Sequence, residues 1–287
     1  MDMKISKRKI LLGAAAFGGA AMLGTRTASA QSSGLLDRIK RAGVVKMAVP
    51  QTPPWSEIKR DGSLGGIAPE IVQRAMQGLG VTKFEAIPST YAELIPGMMA
   101  GRWDIIGACL SFSKARCAAV KFSSPICFGY LAVAYRANEM SNPPLSMADA
   151  AKRGLKIATN AGGFQLPALR RLTTDDKLLL FNDTASTVDA VATKRADVAI
   201  DSYYGMRQVK TAEKISFTSA LTDTGFDKSG PAFRNTDMDL YEAFDAEVRK
   251  LKVSGFVEEI NKKYGYDYFA DRFNGMHADV ACATANL

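Results

Sequence analysis

The chain has 287 residues, with 37 Lys and Arg against 29 Asp and Glu, 47% hydrophobic residues, four cysteines and one histidine. That length builds one large domain or two modest ones with real cores, and the composition excludes a disordered chain. A single histidine argues against a His-rich metal centre, and after residue 30 no apolar run reaches the roughly 20 residues that span a bilayer.

Residues 4–9 form a cationic cluster, Ile10 to Leu23 is an Ala/Gly/Leu-rich stretch, and Ala28-Ser29-Ala30 is a small-x-small cleavage pattern. Together these make a secretory signal peptide over 1–30, so the mature protein is expected in the periplasm. Ser6-Lys7-Arg8-Lys9-Ile10-Leu11 resembles a twin-arginine signal with Lys7 in place of the first arginine, which leaves the Sec and Tat routes both open. Without the leader, 32 basic and 28 acidic residues remain and the formal charge falls from +8 to +4. So mild and scattered an excess does not make a nucleic-acid surface.

Val44–Val49 reads as a strand, Ile71, Val72, Ala75, Met76 and Leu79 mark one helix face, and Phe84–Ile87 is a second strand. Tyr91, Leu94, Ile95, Met98 and Met99 fall at helical spacing, and Trp103–Leu110 is a buried strand. The order then repeats: strand Leu155–Thr159, helix Phe164–Leu172, strand Leu178–Phe181, helix Thr184–Lys194, strand Asp197–Asp201. The third strands open alike, with Arg102-Trp103-Asp104 and Arg195-Ala196-Asp197. Alternation of this kind is α/β, with mostly parallel sheets flanked by helices. Phe128–Arg136, a long β-like run, and the polar, turn-rich Ser216–Gly230 are the two segments expected to link the halves. Lobe 1 would then comprise 31–136 and 221–287, and lobe 2 would be an insertion over 137–220. Helical stripes follow at Leu240, Phe244, Val248 and Leu251, and at Phe256, Val257 and Ile260.

Export permits disulfides among Cys109, Cys117, Cys127 and Cys282, for which there are three full connectivities. Cys109, inside the apolar run Ile105–Leu110, reads as a small buried thiol, and one bridge is expected from Cys282 to Cys117 or Cys127. No CxxC spacing is present, so neither a zinc site nor any other metal or cofactor is implied.

Ligands of open parallel sheets bind beyond the carboxyl ends of the strands. That directs attention to Val49–Trp55, Cys109–Arg116, Thr159–Phe164 and Asp201–Tyr204. Two lobes on two linkers further suggest hinge closure.

Five segments, in order, resemble the periplasmic solute-binding proteins of ABC importers in the polar amino-acid (family 3) group. They are Asp61-Gly62 with Gly66-Ile67-Ala68-Pro69-Glu70-Ile71; Tyr91 to Met98 with Gly101-Arg102-Trp103-Asp104; Ser111 to Arg116 with Lys121-Phe122-Ser123-Ser124-Pro125; Arg195 to Asp201; and Lys262-Lys263-Tyr264-Gly265. The resemblance implies a two-lobe, type II periplasmic-binding fold that takes up a small zwitterion and delivers it to a membrane permease, with the protein acting as a monomer. On this pattern Arg116 holds the ligand carboxylate, with Ser111 beside it, and Asp201 holds the ammonium. These assignments suit the chemistry, since a guanidinium matches a carboxylate in bidentate fashion and a carboxylate only accepts. Trp55 and Tyr91 fall where the family's aromatics sandwich the ligand, and Phe164 adds a third ring. In the loop Asn160-Ala161-Gly162-Gly163, Gly163 replaces the family's threonine and removes a hydroxyl, and Cys109 stands where a glycine is usual. Ala68-Pro69-Glu70 and Arg116-Cys117 resemble the ectoine-binding subgroup. An alternative on the same fold is a cyclohexadienyl dehydratase-like enzyme, for which Glu57, Glu93 and Asp201 are the candidate acids. No His or Cys flanks them in an activating arrangement.

Overall fold

The computed structural model describes residues 34–285, and the leader expected at 1–30 lies outside them. Two sheets carry the chain. The first is built on β1 (Val44–Pro50); β2 (Glu57–Ile58) and β3 (Leu64–Gly65) form a small hairpin beside it, followed by β4 (Lys83–Ser89) and β5 (Ile105–Ser111). β1 lies between β4 and β5, parallel to both. Preceding these is α1 (Leu35–Ala42), and between them run α2 (Ile67–Gly78) and α3 (Leu94–Met99). Helix α2 buries Ile67, Ile71, Val72, Ala75 and Met76, a stripe at the spacing of one helix face. All seven residues of β5 are buried, as expected of a strand covered on both faces.

After β5 come α4 (Lys114–Ala119), β6 (Lys121–Phe122) and β7 (Cys127–Gly129). The chain then crosses at Tyr130 into β8 (Leu131–Tyr135), α5 (Met147–Lys152), β9 (Ile157–Asn160), α6 (Leu166–Leu172), β10 (Leu178–Phe181), α7 (Thr184–Ala192), β11 (Val198–Ser202), α8 (Tyr203–Arg207) and β12 (Ser216–Phe217). These strands form the second sheet, in the order β10-β9-β11-β8-β12. The return strand β13 (Asp227–Phe233) rejoins the first sheet, antiparallel to β5, β6 and β7. Helices α9 (Met238–Val253), α10 (Phe256–Lys263), α11 (Ala270–Phe273) and α12 (Ala278–Ala283) close the chain. Among the described residues no helix is long and apolar enough to cross a membrane.

The internal repeat extends to individual hydrogen bonds. In the first sheet the Asp104 N–H donates to the Lys46 carbonyl at 2.9 Å, and the Lys46 N–H donates to Asp104 Oδ2 at 3.0 Å. In the second, Asp197 and Lys156 exchange the same two bonds at 2.9 and 2.8 Å. Each aspartate thereby registers the third strand of its sheet against the first.

The crossings depart from the expected pattern. Phe128–Arg136 is not one strand: β7 pairs with β13 in the first sheet, whereas β8 pairs with β11 in the second. A boundary at 136 therefore leaves β8 on the wrong side of the strand pairing, because an apolar run shows β character but not which neighbour completes its hydrogen bonds. The segment 216–230, read as linker, contains β12 and the start of β13. Both cysteine pairs are oxidised, Cys117 with Cys282 and Cys109 with Cys127. The first is one of the two pairings expected for Cys282. The second corrects the reading of Cys109 as a free thiol: burial in β5 also brings it near β7, since both strands flank β13.

Candidate functional site

All nine residues singled out by the sequence line one cavity: Trp55, Tyr91, Cys109, Ser111, Arg116, Asn160, Gly163, Phe164 and Asp201. It encloses about 550 Å³, counting the space at its mouth. The first sheet supplies the loop after β1, the end of β5 and helix α4; the second supplies the ends of β9 and β11.

Arg116 sits in the first turn of α4, whose N-cap Ser113 accepts the Arg116 N–H at 3.3 Å. Two of the five guanidinium N–H donors are directed at carbonyls: Nη1 donates to Ser111 at 2.9 Å and Nη2 to Gly162 at 2.7 Å. The guanidinium therefore joins the end of β5 to the loop after β9. Burial lowers its pKa, opposed by the negative field of Asp227. Disulfide Cys117–Cys282 pins the next residue of α4 to α12.

Asp201 is the penultimate residue of β11 and is 9% exposed. Its Oδ1 accepts the N–H of Ser202 at 2.7 Å, whereas its Oδ2 is buried with no hydrogen-bond partner. Burial pushes this carboxyl up to about 6. A buried acceptor without a donor costs about 1–3 kcal/mol, and on the cavity wall Oδ2 is open to a hydrogen-bond donor that enters the cavity.

Trp55 is buried edge-on against Tyr266, with ring centroids 6.0 Å apart. Tyr91 lies in the turn before α3, not in its stripe; its hydroxyl reaches the Cys109 carbonyl at 3.5 Å, and burial raises it to about 12. Asn160 uses its Oδ1 to accept the Gly162 N–H at 2.9 Å, which shapes the loop. Gly163 has a local cause, since a Cβ there would stand 2.5 Å from Gln165 Nε2. Gln165 occupies that space, buried and donating to Thr159 Oγ1 at 2.7 Å.

Sequence reasoning missed Asp227, Gln165 and Phe128, which also line the cavity. Asp227 changes the role of Ser111, whose hydroxyl donates to Asp227 Oδ2 at 2.8 Å. Burial pushes Asp227 up to about 7, against the pull of Ser111 and Arg116. The only available signal was the short spacing from Asp227 to the apolar Ala232-Phe233, obscured by Gly230-Pro231. Of the acids considered for an enzyme, Glu57 lies in β2 and Glu93 accepts from Thr90 at the start of α3; neither lines the cavity. Among the described residues no group of three or more His, Cys, Asp or Glu is placed to hold a metal ion.

The family model for bacterial extracellular solute-binding proteins, family 3, matches residues 45–267. The probable amino-acid ABC transporter periplasmic-binding protein y4tE of Sinorhizobium fredii is 26% identical over 251 residues, 83% of each chain. Among solved structures, EhuB in complex with hydroxyectoine is 28% identical with a TM-score of 0.80, over 87% of this chain and 98% of that one. The cysteine-binding protein of Campylobacter jejuni shares the fold at 22% identity and a TM-score of 0.73, over 83% of this chain and 98% of that one.

Proposed function

The chain belongs to the bacterial extracellular solute-binding proteins of family 3, and from that premise we propose that it captures a small amino-acid-like zwitterion between two lobes and passes it to an ABC permease. The lobes we assign by sheet: residues 34–130 with 222–285, and 131–221 between them. The leader at 1–30 directs the chain across the membrane, and the exported monomer binds without chemistry. One observation carries this reading: the guanidinium of Arg116 and the unpartnered Oδ2 of Asp201 line the same cavity. The guanidinium takes the carboxylate and Asp201 the ammonium, while Trp55, Tyr91 and Phe164 cover the apolar part of the ligand. Support also comes from y4tE, named as a probable amino-acid binding component, and from EhuB, which holds hydroxyectoine.

The test is a thermal-shift and calorimetric screen of unfolded and refolded mature protein against amino acids and ectoines. A binder at 100 times its Kd raises stability by about 2.7 kcal/mol. Arg116→Ala weakens that binder by at least ~2–3 kcal/mol, because the ligand carboxylate loses its charged partner. An unchanged Kd in the variant overturns the site. Incubation with prephenate yields no aromatic product; its formation would establish an enzyme.

A further inference from the structure

The cavity holds more negative charge than a zwitterion requires. Asp227 opens β13 and lies on its wall with Arg116 and Asp201. The same carboxyl borders a smaller side cavity of about 280 Å³, shared with Phe164, Phe112 and Phe226. Its cationic neighbours are Arg116 and Lys228, but among the described residues neither makes an ion pair with it. Lys228 Nζ donates to the carbonyl and hydroxyl of Thr284 at 2.8 and 2.9 Å, and the Nη groups of Arg116 reach Ser111 and Gly162. The hydrogen bond from Ser111 positions the Asp227 carboxyl and brings no charge.

Resting on the proposed function, a charge count decides the ligand class. One guanidinium faces two carboxylates. A neutral zwitterion satisfies Arg116 and Asp201 and leaves the partly buried Asp227 carboxyl with the Ser111 hydroxyl as its hydrogen-bond partner and with no ion pair to the ligand. A ligand with one carboxylate and two cationic groups neutralises the cavity.

We propose that Asp227 is a specificity-determining residue that selects a ligand with a second cationic group, an amino acid of net charge +1, over neutral zwitterions. Phe164, which borders both cavities, lies where an aliphatic or guanidinium stem would pass on its way to Asp227. Burial raises the Asp227 carboxyl to about 7 against the pull of Ser111, Arg116 and Lys228, and a ligand cation beside it would lower it further.

Arginine and citrulline are near-isosteric and differ by this one charge. The experiment is calorimetry of refolded mature protein with arginine, lysine, citrulline, glutamine and hydroxyectoine, in wild type and in Asp227→Asn. The amide preserves shape and still accepts from Ser111. The expected result is arginine or lysine at least tenfold tighter than the neutral ligands, with that ratio collapsing in Asp227→Asn through loss of affinity for the cationic ligands alone. Wild-type preference for citrulline, glutamine or hydroxyectoine overturns the role of Asp227 while leaving zwitterion capture intact. An equal loss for cationic and neutral ligands in the variant also overturns it, since that is the mark of a structural role. Failure of all five ligands to bind overturns both the inference and the reading it rests on.

Discussion

Replacing Asp201 with asparagine should stabilise the ligand-free protein and weaken its affinity together, a combination that a structural aspartate cannot give. The carboxyl is 9% exposed, its Oδ2 lacks a partner, and burial lifts it from 3.8 to about 6. The unfolded chain therefore releases this proton near pH 4 and the folded chain near pH 6. Between these values the folded state holds more protons than the unfolded one, so stability falls as pH rises and stays lower above pH 6. A shift of about two units corresponds to roughly 3 kcal/mol. At pH 4 the protonated carboxyl and the amide are both neutral and of similar shape, so variant and wild type melt close together. By pH 7.5 the variant should be ahead by up to ~3 kcal/mol, or roughly 6–12 °C in Tm for a chain of this size. Ligand affinity should drop about 100-fold, since the buried ammonium loses its charged acceptor. Scanning calorimetry of refolded, ligand-free protein at pH 4.5 and 7.5, with titration of the binder found in the screen, measures both. A Tm difference independent of pH, or a variant that binds like wild type, refutes the reasoning.

The second sheet meets the first at two glycines. A Cβ on Gly205 would stand 2.0 Å from the Trp55 ring, and one on Gly162 would stand 2.4 Å from the Ala92 backbone nitrogen. Gly162→Ala faces backbone that cannot retreat, so the variant should hold its lobes apart and bind at least tenfold more weakly; X-ray scattering that still shows contraction on adding ligand would contradict this. Cys282→Ser opens a loop of 165 residues' separation, which on the chain-entropy account costs about 5 kcal/mol. The same change frees the helix carrying Arg116. A large fall in Tm should therefore come with weaker binding at temperatures where the protein stays folded, and full affinity there would mean that α4 holds Arg116 unaided.

The parallel half of each sheet was legible because its strands are short apolar runs between amphipathic helices, a pattern local to the chain. The loops that line the cavity followed, since strand direction fixes which strand ends meet there. Legibility failed at the antiparallel strands. In β13, Pro231 sits at the register shift between Gly230 and Ala232 against β5; a bulge accommodates the missing N–H, but sequence shows only a turn-like Gly-Pro. In Phe128–Arg136 the break falls at Tyr130, whose carbonyl accepts from Tyr203 and whose ring stacks on the same residue 4.9 Å away. Nothing in the run itself marks that residue, because its partner is 73 positions on.

The same division explains what was missed in the site. Arg116, Asp201 and Asn160 follow strands visible from local pattern, so the rule for parallel sheets reached them. Asp227 and Phe128 are brought to the cavity wall by β13 and β7, strands that pair with each other across about a hundred residues of sequence. Those strands are also the routes by which the chain leaves and re-enters the first sheet. A carboxylate at the foot of such a strand stands where the chain re-enters the first sheet. On the proposed function, closing the cavity takes it out of water, so that its charge acts on the guest and ties ligand choice to closure. Such coupling arises from long-range pairing and is invisible to any reading of local periodicity.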